Sequence, residues 1–311
     1  MRFIPCLLAG ALISPLALGA DSQSWLLRLQ EAEQRQEFQG AFVYERNGSF
    51  SSHEIHRQVR DGQVREHILQ LDGAFHESLR NNGRLECMTG PRYEQIVENQ
   101  ANGLRRVEPR TLAQWYDIRT AGLSRVAGRE TVVLSLRPRD QHRYGFELYL
   151  DRETALPLKS LLLNENGQPL ERFQYIVFEP GAQANLQAGQ ACRPVTDREV
   201  RPLEEQAWRS EWLPAGFALT RIVEQRASRE DPPVAWLVYG DGLARFSVFL
   251  EPWREGLSID QRSQLGPTAA VSRRLATDQG DLLVTVIGEI PLGTAERVAL
   301  SIRSGSGVVL Q

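Results

Sequence analysis

The stretch RDQHRYGFELYLDRETALPLKSLLLNENGQPLERFQY, Arg139–Tyr175, decides the fold class. Tyr144, Phe146, Leu148 and Leu150 alternate with Gly145, Glu147, Tyr149 and Asp151, so a strand here has one apolar and one largely polar face. Asp151–Pro157 reverses the chain, Lys159–Asn164 runs back, and Asn166-Gly167 offers the positive φ angles of a tight hairpin. Phe173, Tyr175 and Val177 repeat the alternation. Three consecutive antiparallel strands with a broad aromatic face follow. Either the chain's own helices or a ligand must cover that face.

Upstream, the same signals recur. GAFVYER ends at Asn47-Gly48, SFSSHEIHRQV at Asp61-Gly62, QVREHILQL at Asp72-Gly73, and AFHESLR at Asn82-Gly83, which leads into RLECMTG. This is an antiparallel meander. A helix precedes it, capped by Asp21 or Ser22, with Trp25, Leu26, Leu29 and Ala32 as its apolar stripe. Pro91–Val107 has no clear pattern. Pro109–Trp115 reads as a short helix with proline at an early position. Strands resume at Tyr116, turn at Ala127-Gly128 and continue through TVVLSLRP, where Val132, Leu134 and Leu136 share a face, as Phe42 and Tyr44 do earlier.

Downstream, Glu179–Gln206 loses periodicity and collects Pro, Gly, Ala, Gln and charge, which makes it a linker. It divides a first domain, residues 21–178, from a smaller α+β domain, residues 207–311. Strand signals there fall at Trp208–Leu213, Leu219–Gln225, Ala235–Tyr239, ARFSVFLEP after Asp241-Gly242, Ala269–Leu275 and Leu282–Ile290. A helix near Thr294–Ser304 places Ala295, Val298, Ala299 and Ile302 on one face, with Gly305 to end it.

At the N-terminus, Arg2 precedes the uncharged run Phe3–Ala20, which closes on small residues. That pattern is a secretory signal peptide, residues 1–20, and implies an exported chain. Losing it takes the formal net charge from −3 to −4. Such a balance gives no basis for nucleic-acid binding. Arginine supplies all but one of the 36 basic residues, the exception being Lys159. Cys87 and Cys192 remain after processing, either bridged, as export permits, or as two buried thiols.

Catalytic patterns are missing. His53-Glu54-Ile55-His56 invites a metal reading, but zinc proteases need the histidines four apart on a helix, and on a strand these two point to opposite faces as exposed histidines. His67 and His76 have no cysteine or carboxylate cluster to complete a ligand set. No Gly-x-Ser-x-Gly elbow, P-loop or dinucleotide glycine pattern occurs, so no catalytic residue, metal site or cofactor is assigned. Asp140, Glu147 and Asp151 read as solvated acids at strand ends.

ILQLDG (68–73), WYDIRTAGLSRVAGR (115–129) and the Arg139–Tyr175 block resemble the RseB/MucB family of periplasmic sigma-factor regulators. So do WLPAGF (212–217), YGDGLARFSVFLEP (239–252) and VTVIGEIPLGTAERVALSI (284–302). The resemblance implies a β-rich α+β chain: a LolA/LolB-like open antiparallel half-barrel with helices, plus the smaller C-terminal domain. It implies a periplasmic, self-associating binding protein, not an enzyme. Its partner would be the periplasmic domain of a membrane-spanning anti-sigma factor of the MucA/RseA type, shielded from regulated proteolysis. Lipid or lipopolysaccharide fragments would release it. A periplasmic lipid or lipoprotein carrier is the alternative. On pattern, the lipid-binding candidates are Phe42, Tyr44, Trp115, Tyr116, Tyr144, Phe146, Phe173 and Tyr175. Trp212, Phe217, Tyr239, Arg245 and Phe246 are the partner-binding candidates, as aromatic and arginine anchors.

Overall fold

The computed structural model describes residues 17–89, 109–182, 186, 189, 191–194, 200–201, 207–225, 234–254, 260–278 and 280–304. The leader up to residue 16, Pro91–Val107, most of the expected linker and the tail from Gly305 lie outside these residues.

Helix α1 (Ala17–Arg35) leads into a meander of β1 (Phe38–Arg46), β2 (Ser49–Arg60), β3 (Gln63–Gln70), β4 (Glu77–Asn81) and β5 (Arg84–Met88). Helix α2 (Pro109–Trp115) then opens a second meander: β6 (Tyr116–Val126), β7 (Arg129–Pro138), β8 (Gly145–Asp151), β9 (Pro157–Leu163) and β10 (Pro169–Pro180). β10 pairs antiparallel with β1, and β11 (Arg193–Pro194) pairs with β5. The result is one antiparallel sheet in the order β11-β5-β4-β3-β2-β1-β10-β9-β8-β7-β6, with β11 and β6 as unjoined edges. It curls enough to bring β6 near β10.

Turn chemistry sets the register. Asn47-Gly48, Asp61-Gly62, Asn82-Gly83 and Ala127-Gly128 each place two successive residues at positive φ, the conformation that matches strand twist. At Asn166-Gly167 only the glycine has positive φ. The Gly167 N–H reaches Asn164 O at 3.0 Å, and the Asn164 side chain accepts the Asn166 and Gln168 N–H groups. That longer turn replaces the expected two-residue hairpin. Beyond Tyr175 a bulge opposite Ala41–Phe42 shifts the register. Val177 is therefore exposed and Phe178 points inward, against the simple alternation.

The inner face is covered by the chain itself. Trp25, Leu26, Leu29 and Ala32 of α1 and Leu112 of α2 pack into one core with Phe42, Tyr44, Leu134, Leu148, Tyr175 and Phe178. Helix α1 starts before the expected cap, and the Ser22 hydroxyl instead bonds Ile118 O at 3.2 Å, fixing the helix against β6.

The second domain contains β12 (Val200–Arg201), β13 (Trp208–Ser210), β14 (Ala218–Gln225), β15 (Val234–Gly240), β16 (Arg245–Pro252), β17 (Gln261–Leu265), β18 (Thr268–Leu275), β19 (Leu282–Gly288), α3 (Leu292–Ser301) and β20 (Ile302–Ser304). Its sheet runs β12-β14-β15-β16-β19-β18-β17, with β13 and β20 as a separate pair. Ala295, Val298 and Ala299 of α3 pack on Val248, Val271, Val284 and Val286. The helix stops earlier than expected because Ile302 turns extended, φ −71° and ψ 131°, and its strand pairs with Trp208–Ser210. β17 was not foreseen. Every residue of QRSQL is exposed, so this edge strand has no apolar alternation to announce it.

The expected linker also carries structure. The Cys87–Cys192 disulfide holds Arg193–Pro194 beside β5, while Val200–Arg201 joins the second sheet. Glu77 accepts the Gly189 N–H at 2.7 Å and approaches His67 Nε2 at 2.7 Å.

Candidate functional site

The first domain meets the second through turns at one end of its sheet. Arg143, in the turn between β7 and β8, is the centre of this junction. Its Nη1 donates to Asp241 Oδ2 at 2.5 Å, and its Nε and Nη2 donate to Asp140 at 3.2 and 2.8 Å. Nη2 also bonds the Ala215 carbonyl. The guanidinium lies over Phe217, Tyr116 and Trp115, 5.1, 5.6 and 5.8 Å from their ring centres. Burial works against its charge, but Asp140 and Asp241 hold its pKa above the ordinary arginine value.

Asp241 is prepared by its own turn. Its Oδ1 accepts the Leu243 and Ala244 N–H groups at 2.9 and 2.8 Å, leaving Oδ2 for Arg143 and for the Tyr116 hydroxyl at 3.3 Å. Burial and the neighbouring Asp241 charge push the Tyr116 pKa far up, so it donates as a neutral phenol. Alongside, Gln264 Nε2 bonds the Tyr144 hydroxyl, which donates to Ile290 O. Burial first pushes Tyr144 up to about 12. His142 Nδ1 lies 3.2 Å from Thr294 Oγ1, with its ring edge-on to Trp212 at 5.1 Å.

The eight lipid-binding candidates fall into two groups. Phe42, Tyr44, Phe173 and Tyr175 line the inner face; Phe42 sits 4.8 Å from Phe173 and 5.8 Å from Tyr175, ring to ring, with all four packed into the core. Trp115, Tyr116, Phe146 and Tyr144 lie at or near the domain junction, Tyr116 fully buried. Among the partner-binding candidates, Phe217, Tyr239 and Phe246 form the second domain's own aromatic core, with centroids 5.4 and 5.1 Å apart. Burial takes Tyr239 up to about 12. Trp212 and Arg245 remain partly exposed, Trp212 under the Arg297 guanidinium at 4.0 Å.

Neither of the two strand histidines expected to be exposed is so: His53 is buried and stacked on Phe42 at 4.9 Å, and His56 is half-buried with its Nε2 2.8 Å from Glu54. His67 is buried beside Glu77. Asp151 is likewise no solvated turn acid: it is buried and held by Arg129 and Thr154. Among the described residues no three His, Cys, Asp or Glu side chains group as metal ligands. Sequence reasoning missed Arg143, Arg46 and Glu289 as junction residues, because a charged residue in a turn carries no periodic signal. Asp241-Gly242 was legible only as a turn.

Two family models cover this arrangement end to end: the MucB/RseB N-terminal domain matches residues 21–203 and the MucB/RseB C-terminal domain residues 202–303. The chain belongs to the MucB/RseB family. Within it, the chain is 57% identical over 302 residues to the sigma factor AlgU regulatory protein MucB of Pseudomonas aeruginosa, covering 96% of each. It is 27% identical over 257 residues to the sigma-E factor regulatory protein RseB of Escherichia coli K12, covering 77% of each. Among solved structures, MucB in complex with MucA(peri) matches with a TM-score of 0.79 over 92% of this chain and all of that one. The Pseudomonas aeruginosa MucA/MucB complex matches at 0.80 over the same shares, and MucB alone at 0.73 over 92% and 98%, each at 57% identity. Over the whole chain, the two complexes match with higher TM-scores than MucB alone.

Proposed function

We propose that this chain is a periplasmic sigma-factor regulatory protein that works by binding: it holds the periplasmic segment of a membrane-spanning anti-sigma factor and shields it from proteolysis. The observation carrying this reading is that both domains, in their docked arrangement, resemble MucB structures that hold MucA. Arg143 and Asp241 set that arrangement, and a ligand spanning both domains needs it fixed in advance. Titration of the full-length protein with a synthetic anti-sigma periplasmic domain tests the reading. Saturable binding that slows cleavage of that domain supports it; no heat and no protection refute it.

Lipid or lipopolysaccharide fragments act as the releasing signal in this scheme, and the protein self-associates. The inner face around Phe42 and Tyr175 is filled by Trp25, Leu26 and Leu29 of α1. An acyl chain binding there competes with α1, so it must favour a conformation in which α1 has left the inner face. Linkage requires that difference to reach about 5.5 kcal/mol for a nearly complete switch. Several buried methylenes at about 0.8 kcal/mol each reach that range. Adding lipopolysaccharide to the preformed complex should release the anti-sigma domain. Lipid uptake by a protein with no anti-sigma affinity would instead mark a carrier.

A further inference from the structure

Arg46, the last residue of β1, stands at the domain junction and faces a carboxylate on either side. Its Nη1 is 3.0 Å from Glu289 Oε1 of the second domain and 3.4 Å from Glu171 Oε2 on β10. One guanidinium thus stands against two glutamates whose side chains retain only 18% and 4% of their exposure. The Tyr44 hydroxyl lies 3.3 Å from Arg46 Nη1, and Thr268 of β18 accepts from Nη2. Glu289 donates its own N–H to the Arg245 carbonyl at 3.2 Å. Tyr144 also faces this cluster, within reach of the Glu165 and Glu289 charges.

Two largely shielded carboxylates that share one guanidinium nitrogen do not ionise independently; a proton held by either relieves both desolvation and repulsion. Here one belongs to each domain, so the repulsion exists only when the domains are docked. We propose that docking of the two domains takes up a proton at the Glu171–Glu289 pair, so that acid clamps them together and alkali loosens them.

The charge environment agrees. Burial first, and then the Glu289 charge, push the Glu171 pKa up to about 8, with its Tyr44 hydrogen bond and Arg46 opposing. Undocked, Glu171 loses the Glu289 charge, and its pKa moves back toward the ordinary 4.5. A carboxyl raised in the docked state stabilises docking below its docked pKa. That contribution declines as pH climbs toward the docked value, by at most about tenfold per pH unit, and is gone above it. If anti-sigma binding needs docked domains, affinity declines with them. That last step rests on the function proposed above; the docking step does not.

The test uses the full-length protein without partner. Amide hydrogen exchange of the Gln264–Thr268 hairpin and of Asn47, which it abuts, is followed at about pH 6 and about pH 8.5, corrected for intrinsic rates. Wild-type protection should fall by at least about tenfold. Glu171→Gln should stay protected at both pH values, and Glu289→Gln should lose most of the slope. His142, at the same junction, contributes equally to wild type and Glu171→Gln, so the difference between them isolates the glutamate. An equal slope in Glu171→Gln, or none in wild type, overturns the proposal. Should Glu171→Gln not fold, carboxyl carbon NMR decides on the wild type: a Glu171 titrating at the ordinary carboxylate value overturns it equally.

Discussion

Arg143 Nη1 and Asp241 Oδ2 meet at 2.5 Å across the domain junction, with both side chains wholly withdrawn from solvent. Each charge lost its water when the domains docked, and each is tolerable only while the other is present. Removing one partner of such a pair costs about 3–5 kcal/mol, because the survivor stays buried without full compensation. Asp241→Ala should therefore destabilise the docked protein by about that amount in urea unfolding. The double change Arg143→Met with Asp241→Asn should recover part of the loss, since Trp115, Tyr116 and Phe217 already surround the site with apolar surface and the amide oxygen still accepts the Leu243 and Ala244 N–H groups.

A backbone contact makes the same junction intolerant of bulk. Gly216 has φ +84°, and a Cβ built there would collide with the Trp115 ring. Gly216→Ala combines left-handed strain with that overlap, so docking should weaken by about 2–3 kcal/mol. Scattering from the variant should show a more extended particle while far-ultraviolet circular dichroism stays native. A compact Gly216→Ala protein of unchanged stability would mean that Trp115 moves freely.

The strands were legible in the sequence because their apolar alternation and Asn-Gly or Asp-Gly turns are local signals. Tyr144, Leu148 and Leu150 went to the core as their spacing dictates. What covers that face was not legible: Trp25 and Leu29 on α1 show an apolar stripe, but a stripe does not name the surface it meets. The bulge that exposes Val177 and buries Phe178 depends on pairing with β1, more than 130 residues earlier, as Ala41↔Val177 and Phe42↔Tyr175 show. The junction was invisible for a related reason. Arg46, Arg143 and Asp241 are single charged residues in or beside turns, and only the docked fold turns them into partners.

Ala127 offers a stabilising change. It sits at φ 48° in the turn joining β6 and β7, where a non-glycine residue carries left-handed strain. The corresponding positions of three other hairpins are Asn47, Asp61 and Asn82, residues that tolerate that region better. Ala127→Asn should raise stability by up to about 1 kcal/mol, visible as a higher urea midpoint with unchanged slope. Partial burial of the methyl group against the core limits the gain.

The disulfide should matter more to folding than to docking. Cys87 and Cys192 lie 105 residues apart, so the bridge removes about 4–5 kcal/mol of chain entropy from the unfolded state in the loop-closure estimate. By contrast, freeing β11 lengthens the tether between the sheets from the stretch Pro194–Val200 to the stretch Pro180–Val200, roughly fourfold, which changes docking by only about 1 kcal/mol. Reduction, or Cys87→Ser with Cys192→Ser, should lower the unfolding midpoint markedly yet leave junction exchange within about tenfold of wild type. A larger loss of junction protection than of global stability would reverse that ranking.

Acid should act on the first domain through Asp151. Burial alone would raise its pKa, but the Arg129 hydrogen bonds, the Thr154 N–H and hydroxyl, and the Arg129 charge together hold it below the ordinary 3.8. A carboxyl depressed in the folded state contributes its full stability above that ordinary value and loses it as pH falls through the folded one. The expected loss therefore lies below about pH 4, and neutral pH should show none of it. Asp151→Asn should lower stability at neutral pH, because Arg129 and the Thr154 turn lose their shared acceptor. It should also make unfolding less sensitive to acid below about pH 4. Parallel stability curves for wild type and Asp151→Asn across that window would show that other carboxylates carry the acid response.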